Sequence, residues 1–262
     1  MEEPSSRKVI ARETSANEVP PAPLIICTLP TYNEAGNILL LCRELLNLGP
    51  NYQVIVIDDD SPDGTWRLVH EAAASEPRLS LIHRTIDRGR GRSGRDGFVR
   101  ALKLGADIVV EMDADFSHRP HYVPAMVERL REFPEIGLVL GSRGVQGGED
   151  AQRGTLRRVL TWFANLYIRT VLGLKVRDCN SGFRCWRRAT LERIAVEGTF
   201  SVGPAIVQEL LYKTHCAGVG ISELPIEFME RSEGESTLTL MALVRGYTNV
   251  MRLRWLEFRG RL

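Results

Sequence analysis

Short apolar, β-rich runs alternate along this chain with longer segments whose apolar residues recur at helical spacing, and this alternation limits the fold more than any other feature. The runs Leu24 to Leu29, Val54 to Ile57, Leu79 to His83, Asp107 to Met112 and Ile136 to Leu140 are the predicted strands. Between them, segments such as Asn37 to Leu46 place Ile38, Leu41, Cys42 and Leu45 on one helix face. A βαβ rhythm predicts an α/β fold with a mainly parallel sheet covered by helices. In open sheets of that class, ligands collect outside the carboxyl ends of the strands.

Composition narrows the classes. With 262 residues, 44% of them apolar, the chain can bury a sizeable core. A formal net charge of +1 argues against a nucleic-acid partner. The five cysteines, Cys27, Cys42, Cys179, Cys185 and Cys216, are odd in number and lack Cys-x-x-Cys spacing. That argues against a disulfide scaffold and a structural zinc site, and predicts a reducing cytoplasm. Residues 1 to 22 read as a poorly ordered leader, charged where a signal peptide needs an apolar core. No stretch of ~18 apolar residues predicts a membrane-spanning helix.

Three predicted strands end in polar clusters: Pro30-Thr31-Tyr32-Asn33-Glu34, then Asp58 to Thr65, then Asp113-Ala114-Asp115-Phe116-Ser117-His118. Turns and helix caps favour the same residue types, so each cluster alone is equally well read as a cap. Three at strand carboxyl ends point to a site. Asp113 and Asp115, two apart, can converge on one side. Two such carboxylates repel unless a cation lies between them, and Mg²⁺ or Mn²⁺ accepts oxygen ligands while keeping positions for water and phosphate. The pair predicts a metal bound to a diphosphate.

Thr-Tyr-Asn-Glu, Asp-Asp-x-Ser-x-Asp-Gly-Thr, Asp-Ala-Asp-x-Ser-His, Gly141-Ser142-Arg143 and Asp178-x-x-Ser181-Gly182-Phe183-Arg184 occur in that order. Together they resemble family 2 glycosyltransferases, and among these the polyprenyl-phosphate (dolichol-phosphate) mannosyltransferase group. The resemblance covers about residues 24 to 240. It implies a GT-A type, Rossmann-like α/β fold: a mainly parallel mixed sheet with helices on both faces over residues 23 to 238. It also implies metal-dependent, inverting transfer of mannose from GDP-mannose to a polyprenyl phosphate.

In that resemblance Pro30, Tyr32, Glu34, Ile57, Asp59, Ala114, Arg231 and Thr237 would line the donor pocket. Asp113 and Asp115 would hold the metal, Ser117 through water, and Arg143 would meet the diphosphate. The cation, Mg²⁺ or Mn²⁺, would act as Lewis acid on the leaving group. A phosphate acceptor is already anionic at neutral pH, so no strong general base is demanded.

An anionic acceptor calls for cations. Arg157 and Arg158 open a helical stripe of Leu156, Leu160, Phe163, Tyr167, Val171 and Leu174 that suits either a lipid phosphate's entry or packing on the sheet. Asp178, Ser181 and Arg184, matched to the family pattern, are expected near the acceptor. A last segment, 239 to 262, carries Leu240, Val244, Tyr247, Met251, Trp255 and Phe258 on one helical face beside Arg245, Arg252, Arg254, Arg259 and Arg261. It suits an anionic membrane surface or a protein partner equally. The expected location is the cytoplasmic face of a membrane, held peripherally, with room for a membrane-spanning partner subunit.

The chain departs from the family pattern in four places. Residues 88 to 97 carry extra arginines among the expected glycines. Thr237 stands where a phosphate-binding lysine is expected, and Ser117 where a glutamine often ligates the metal. A Gly-Tyr-x-Phe-Gln segment is replaced by Ser201 to Glu209. A polyprenyl-phosphate glucosyltransferase or another family 2 transferase using a UDP-sugar is the alternative. A receiver-like domain expects a shorter chain, and a phosphatase of the Asp-x-Asp type places that motif near its start.

Overall fold

The computed structural model describes residues 22–150, 154–229 and 240–262, without the side chains of 155–157 and 240–245. The expected leader therefore lies outside the described residues except for residue 22. The predicted strands appear as β1 (Ile25–Thr31), β2 (Tyr52–Asp58), β3 (Leu79–His83), β4 (Ile108–Glu111) and β5 (Ile136–Ser142). Two further strands, β6 (Arg184–Arg187) and β7 (Gly220–Pro225), complete a seven-stranded sheet ordered β3-β2-β1-β4-β6-β5-β7. Only β6 runs antiparallel to its neighbours, β4 and β5, so the sheet is mixed and mainly parallel.

Period-2 alternation decides which face each strand residue covers. Cys27, Leu29, Val54, Val56, Ile108 and Val110 point to one face, where α1 (Ile38–Leu46) and α4 (Val123–Glu132) cover them with Leu41, Leu45, Met126 and Leu130. Ile26, Ile55, Val109, Leu138 and Leu140 point to the other. There α3 (Arg90–Lys103), α5 (Thr155–Leu172), α7 (Ile206–Cys216) and α8 (Leu240–Phe258) bury Phe98, Leu172, Leu210 and Leu253. The remaining helices are α2 (Thr65–Ala73), on the first face, and α6 (Arg188–Arg193).

The parallel strands β1, β2, β4, β5 and β7 end at one edge, and antiparallel β6 begins there. That single reversal carries the 178–183 loop to the same edge as the three polar clusters.

Burial of α5 and α8 is one-sided. Ile168, Leu172, Val250 and Leu253 are buried, whereas Val159, Trp162, Phe163 and Leu166 on α5 and Tyr247, Met251, Trp255 and Phe258 on α8 are exposed. The helices meet at Tyr167 and Tyr247, whose ring centroids are 4.6 Å apart. Arg252 lies over the Phe200 ring and Arg254 bonds the Tyr212 hydroxyl, so two arginines of the expected basic flank face the protein's own body. No helix among the described residues is long and apolar enough to cross a membrane.

Candidate active site

The first two clusters are knitted together backbone to side chain. Asp58, fully buried, accepts hydrogen bonds from the Thr31 and Ser61 hydroxyls and the Ser61 N–H. Ser61, Thr65 and Asp63 in turn accept the N–H groups of Asn33, Glu34 and Ala35. These are the turn and cap uses that the residue types favour. They hold open a cleft of about 420 Å³ lined by Tyr32, Asp60, Ser61, Trp66, Arg67 and Arg88. Tyr32, 57% exposed, offers its ring to this cleft. Asp60, in the left-handed region at φ 60°, bonds His83 Nε2, whose ring stacks on Trp66 at 4.3 Å. Glu34 accepts from the Asn37 side chain at the start of α1.

Asp59 is largely buried and held from two sides: Arg84 Nη1 donates to Oδ1 at 2.5 Å and the Gly89 N–H to Oδ2 at 2.6 Å. Arg84 also pairs with Asp96 at 2.9 Å. Its place just past β3 makes a fourth polar strand end, the signal that sequence reasoning passed over.

At the end of β4, Asp113 keeps a third of its side-chain surface open to solvent while Asp115 is mostly buried. The Asp113 N–H donates to His118 Nδ1, and Asp115 Oδ1 accepts the Ser117 N–H at 3.0 Å. His118 is packed between Phe183 and Phe228, and burial lowers its pKa despite the nearby carboxylates, so it is neutral. Ser117 Oγ is buried and has no hydrogen-bond partner. Two carboxylates and an orphaned hydroxyl make an all-oxygen donor set suited to a hard divalent cation. Among the described residues no group of three or more His, Cys, Asp or Glu side chains forms a closed metal cage. The rest of a cation's shell must come from water and ligand.

Arg143 follows β5 and lies over the Phe228 ring at 4.9 Å. Its Nε and Nη2 donate to the two oxygens of Asp178 at 2.7 and 2.9 Å. Burial disfavours both charges, yet the pairing prevails and holds Asp178 below the ordinary carboxylate range and Arg143 above its own. Glu223 on β7 accepts the Ser142 hydroxyl and the N–H groups of Arg177 and Asp178, anchoring this corner.

Several expected contacts take other roles. Arg184 is not available to an acceptor: it is fully buried, and its guanidinium donates to the carbonyls of Ser181, Cys179 and Val207. Burial pushes its pKa down to about 10, so it remains charged at neutral pH inside the core. Ser181 is buried too, its Oγ accepting the Phe183 N–H. The Ile57 and Ala114 side chains belong to the two core clusters, leaving only their backbones to face a ligand. Pro30 is likewise buried in β1. Arg158 is exposed, whereas the Arg157 side chain, Arg231 and Thr237 lie outside the described residues. Of the extra arginines, Arg92 pairs with Asp87 and Arg95 with Asp96, and Arg88 borders the cleft. Arg90 turns inward to Glu111 and Asp113, a pairing between residues distant in sequence that no local motif announces.

The chain is similar to known proteins in sequence and in fold. The chain is 36% identical over 242 residues to the undecaprenyl-phosphate mannosyltransferase of Micrococcus luteus, covering 91% of this chain and 98% of that one. It is 35% identical over 233 residues to the polyprenol monophosphomannose synthase of Mycolicibacterium smegmatis, covering 87% of each. In fold it is similar to glucosyl-3-phosphoglycerate synthase from Mycobacterium tuberculosis, solved with Mn²⁺, UDP-glucose and phosphoglyceric acid. The TM-score is 0.64 at 22% identity, over 91% of this chain and 80% of that one. The model of glycosyl transferase family 2 matches residues 27–198, and with these relatives it establishes that the chain belongs to that family and is a glycosyltransferase.

Proposed function

We propose that this chain transfers mannose from GDP-mannose to the phosphate of a polyprenyl phosphate, with inversion at the sugar carbon. The observation that carries the reading is the gathering of Asp113, Asp115 and Arg143 around His118, at the sheet edge that also bears the Tyr32 cleft, in a chain whose relatives are named polyprenyl-phosphate mannosyltransferases.

Tyr32 presents a ring face suited to a nucleotide base, and Asp60 in the cleft wall presents an acceptor for its N–H groups or the ribose hydroxyls, with Glu34 and Asp59 proposed to act from beside the cleft. Asp113 and Asp115 would hold Mg²⁺ or Mn²⁺, with Ser117 Oγ reaching it through water. When bound, that cation supplies Lewis acidity to the leaving diphosphate. Arg143, kept charged and oriented by Asp178, faces the charge that develops as the glycosidic bond breaks. Arg157 and Arg158 are proposed for the acceptor phosphate, and Arg231 and Thr237 for the donor. The acceptor's phosphate oxygen attacks as an anion, so no side chain need take its proton.

A polyprenyl tail stays in a bilayer, and the exposed Trp162, Phe163, Trp255 and Phe258 suit helices lying in its surface. The protein would then sit peripherally on the cytoplasmic face, where a membrane-spanning partner subunit could assist. The test is incubation of the purified chain with Mn²⁺, radiolabelled GDP-mannose and a polyprenyl phosphate, with UDP-glucose as the parallel donor. Label in the organic phase from GDP-mannose alone supports the reading; label from UDP-glucose alone, or from neither donor, sinks it.

A further inference from the structure

The first turn of α3 brings an unusual cation into the metal-binding corner. Arg90 Nη1 donates to Oε1 of Glu111 at 2.9 Å, and its Nη2 donates to Oδ1 of Asp113 at 3.3 Å. Glu111, the last residue of β4, has no exposed surface, and its Oε2 has no hydrogen-bond partner. A buried carboxylate of that kind ties its cation firmly, because separating the two would leave an uncompensated charge in the interior.

The backbone holds the arrangement as well. A Cβ on Gly91 would lie 2.2 Å from the Ser201 carbonyl oxygen, so the start of α3 is pressed against segment 201–203. A Cβ on Gly94 would come within 3.0 Å of Arg90 Nη1 and 3.3 Å of Glu111 Oε1, so a glycine is what lets the pair lie across the helix. Arg90 is thus fixed beside one of the two carboxylates proposed to hold a divalent cation.

We propose that Arg90 is a fixed cation of the donor site, anchored on Glu111 and shared with Asp113, which makes divalent-cation binding conditional on a diphosphate. This rests on the reading of Asp113 and Asp115 as metal ligands. In the free chain Arg90 and the incoming cation compete for Asp113 and repel each other. When a nucleoside diphosphate arrives with the cation, its negative charge satisfies both, and Arg90 Nη2 passes from the carboxylate to a phosphate oxygen.

The experiment is a Mn²⁺ titration of the full chain followed by the electron paramagnetic resonance of free Mn²⁺, with and without saturating GDP. The wild type is expected to bind Mn²⁺ far more tightly with GDP than without. The doubly neutral R90Q/E111Q variant leaves the local net charge unchanged. It should bind Mn²⁺ without GDP about tenfold more tightly than wild type, the size expected from releasing one charge-assisted hydrogen bond. Structural damage would move the constant the other way. Unchanged or weaker binding, with cooperative unfolding intact, overturns the inference. If the double variant does not fold, R90K decides: a lysine keeps the charge on Glu111 without the fork that reaches Asp113, so tighter Mn²⁺ binding is again required. Absence of Mn²⁺ binding by the wild type even with GDP would instead sink the metal reading itself, and this inference with it.

Discussion

Arg143 and Asp178, 35 residues apart in sequence, meet in a buried two-pronged ion pair at 2.7 and 2.9 Å. An arginine with the role proposed for Arg143, facing a diphosphate, must keep its charge and direction while buried, and the pairing with Asp178 favours both. Removing one partner of a buried pair costs roughly 3–5 kcal/mol. Asp178→Asn should therefore lower stability by an amount of that order and kcat by more than the donor KM. Urea unfolding and steady-state kinetics give the two numbers, and an unchanged kcat in folded protein would show that Arg143 needs no such support.

The same pair sets a pH dependence. The folded-state pKa of Asp178 is depressed, so its contribution is complete above the unfolded carboxylate value of about 3.9 and is lost as pH falls through the lower folded value. The stability gap between wild type and Asp178→Asn should be full at neutral pH and shrink below about pH 4. Unfolding curves at several pH values check it; a gap constant down to about pH 2 contradicts the assignment.

Asp113→Ala and Asp115→Ala should each reduce mannose transfer by about a thousandfold or more, the scale of a lost interaction worth several kcal/mol. Chelation of divalent cations should do the same reversibly, with Mn²⁺ or Mg²⁺ restoring activity. Transfer that survives chelation would remove the cation from the mechanism.

Arg84 bridges Asp59 and Asp96, and its loss would leave both carboxylates without this partner beside the cleft proposed to take the nucleotide. Arg84→Ala should weaken GDP binding by roughly tenfold or more, since charged hydrogen bonds of this kind are worth ~1.5–3 kcal/mol. Calorimetric titration with GDP measures it, and equal affinities would show Asp59 to be dispensable for the donor.

Arg184 and Arg158 make a contrasting pair. Arg184→Met should lower stability by about 3 kcal/mol, because three carbonyls lose their donor, while the acceptor KM of the folded enzyme stays within about twofold. Arg158→Ala, at an exposed site, should change stability by no more than about 0.5 kcal/mol yet raise the acceptor KM. The opposite pattern would return Arg184 to the acceptor site.

Trp162→Asp with Phe163→Asp should abolish co-sedimentation with anionic vesicles and leave GDP affinity unchanged, since both rings are exposed and remote in sequence from the cleft residues. Vesicle binding undiminished in the double variant would assign this face to something other than lipid.

Sequence alone was sufficient wherever the determinant is local. β3 appears with its expected bounds, Leu79–His83, and β1, β2, β4 and β5 differ by only a few residues at their ends, because period-2 and period-3.6 burial are written in neighbouring residues. The ordered strand-end motifs likewise announced that Tyr32, Asp59 and Asp113 follow neighbouring parallel strands at one edge of the sheet. What the sequence could not state is which charges meet. β6 went unrecognised because its terminal arginines look like surface residues until their distant acceptors are known: Val207 for Arg184, Ile136 for Arg187. Reversal of that one strand brings Asp178 to Arg143, and the packing of α3 on segment 201–203 brings Arg90 to Glu111 and Asp113. Whether an arginine reaches a ligand, neutralises a carboxylate or holds the core together depends on desolvation and on partners far along the chain, and only the tertiary structure decides those.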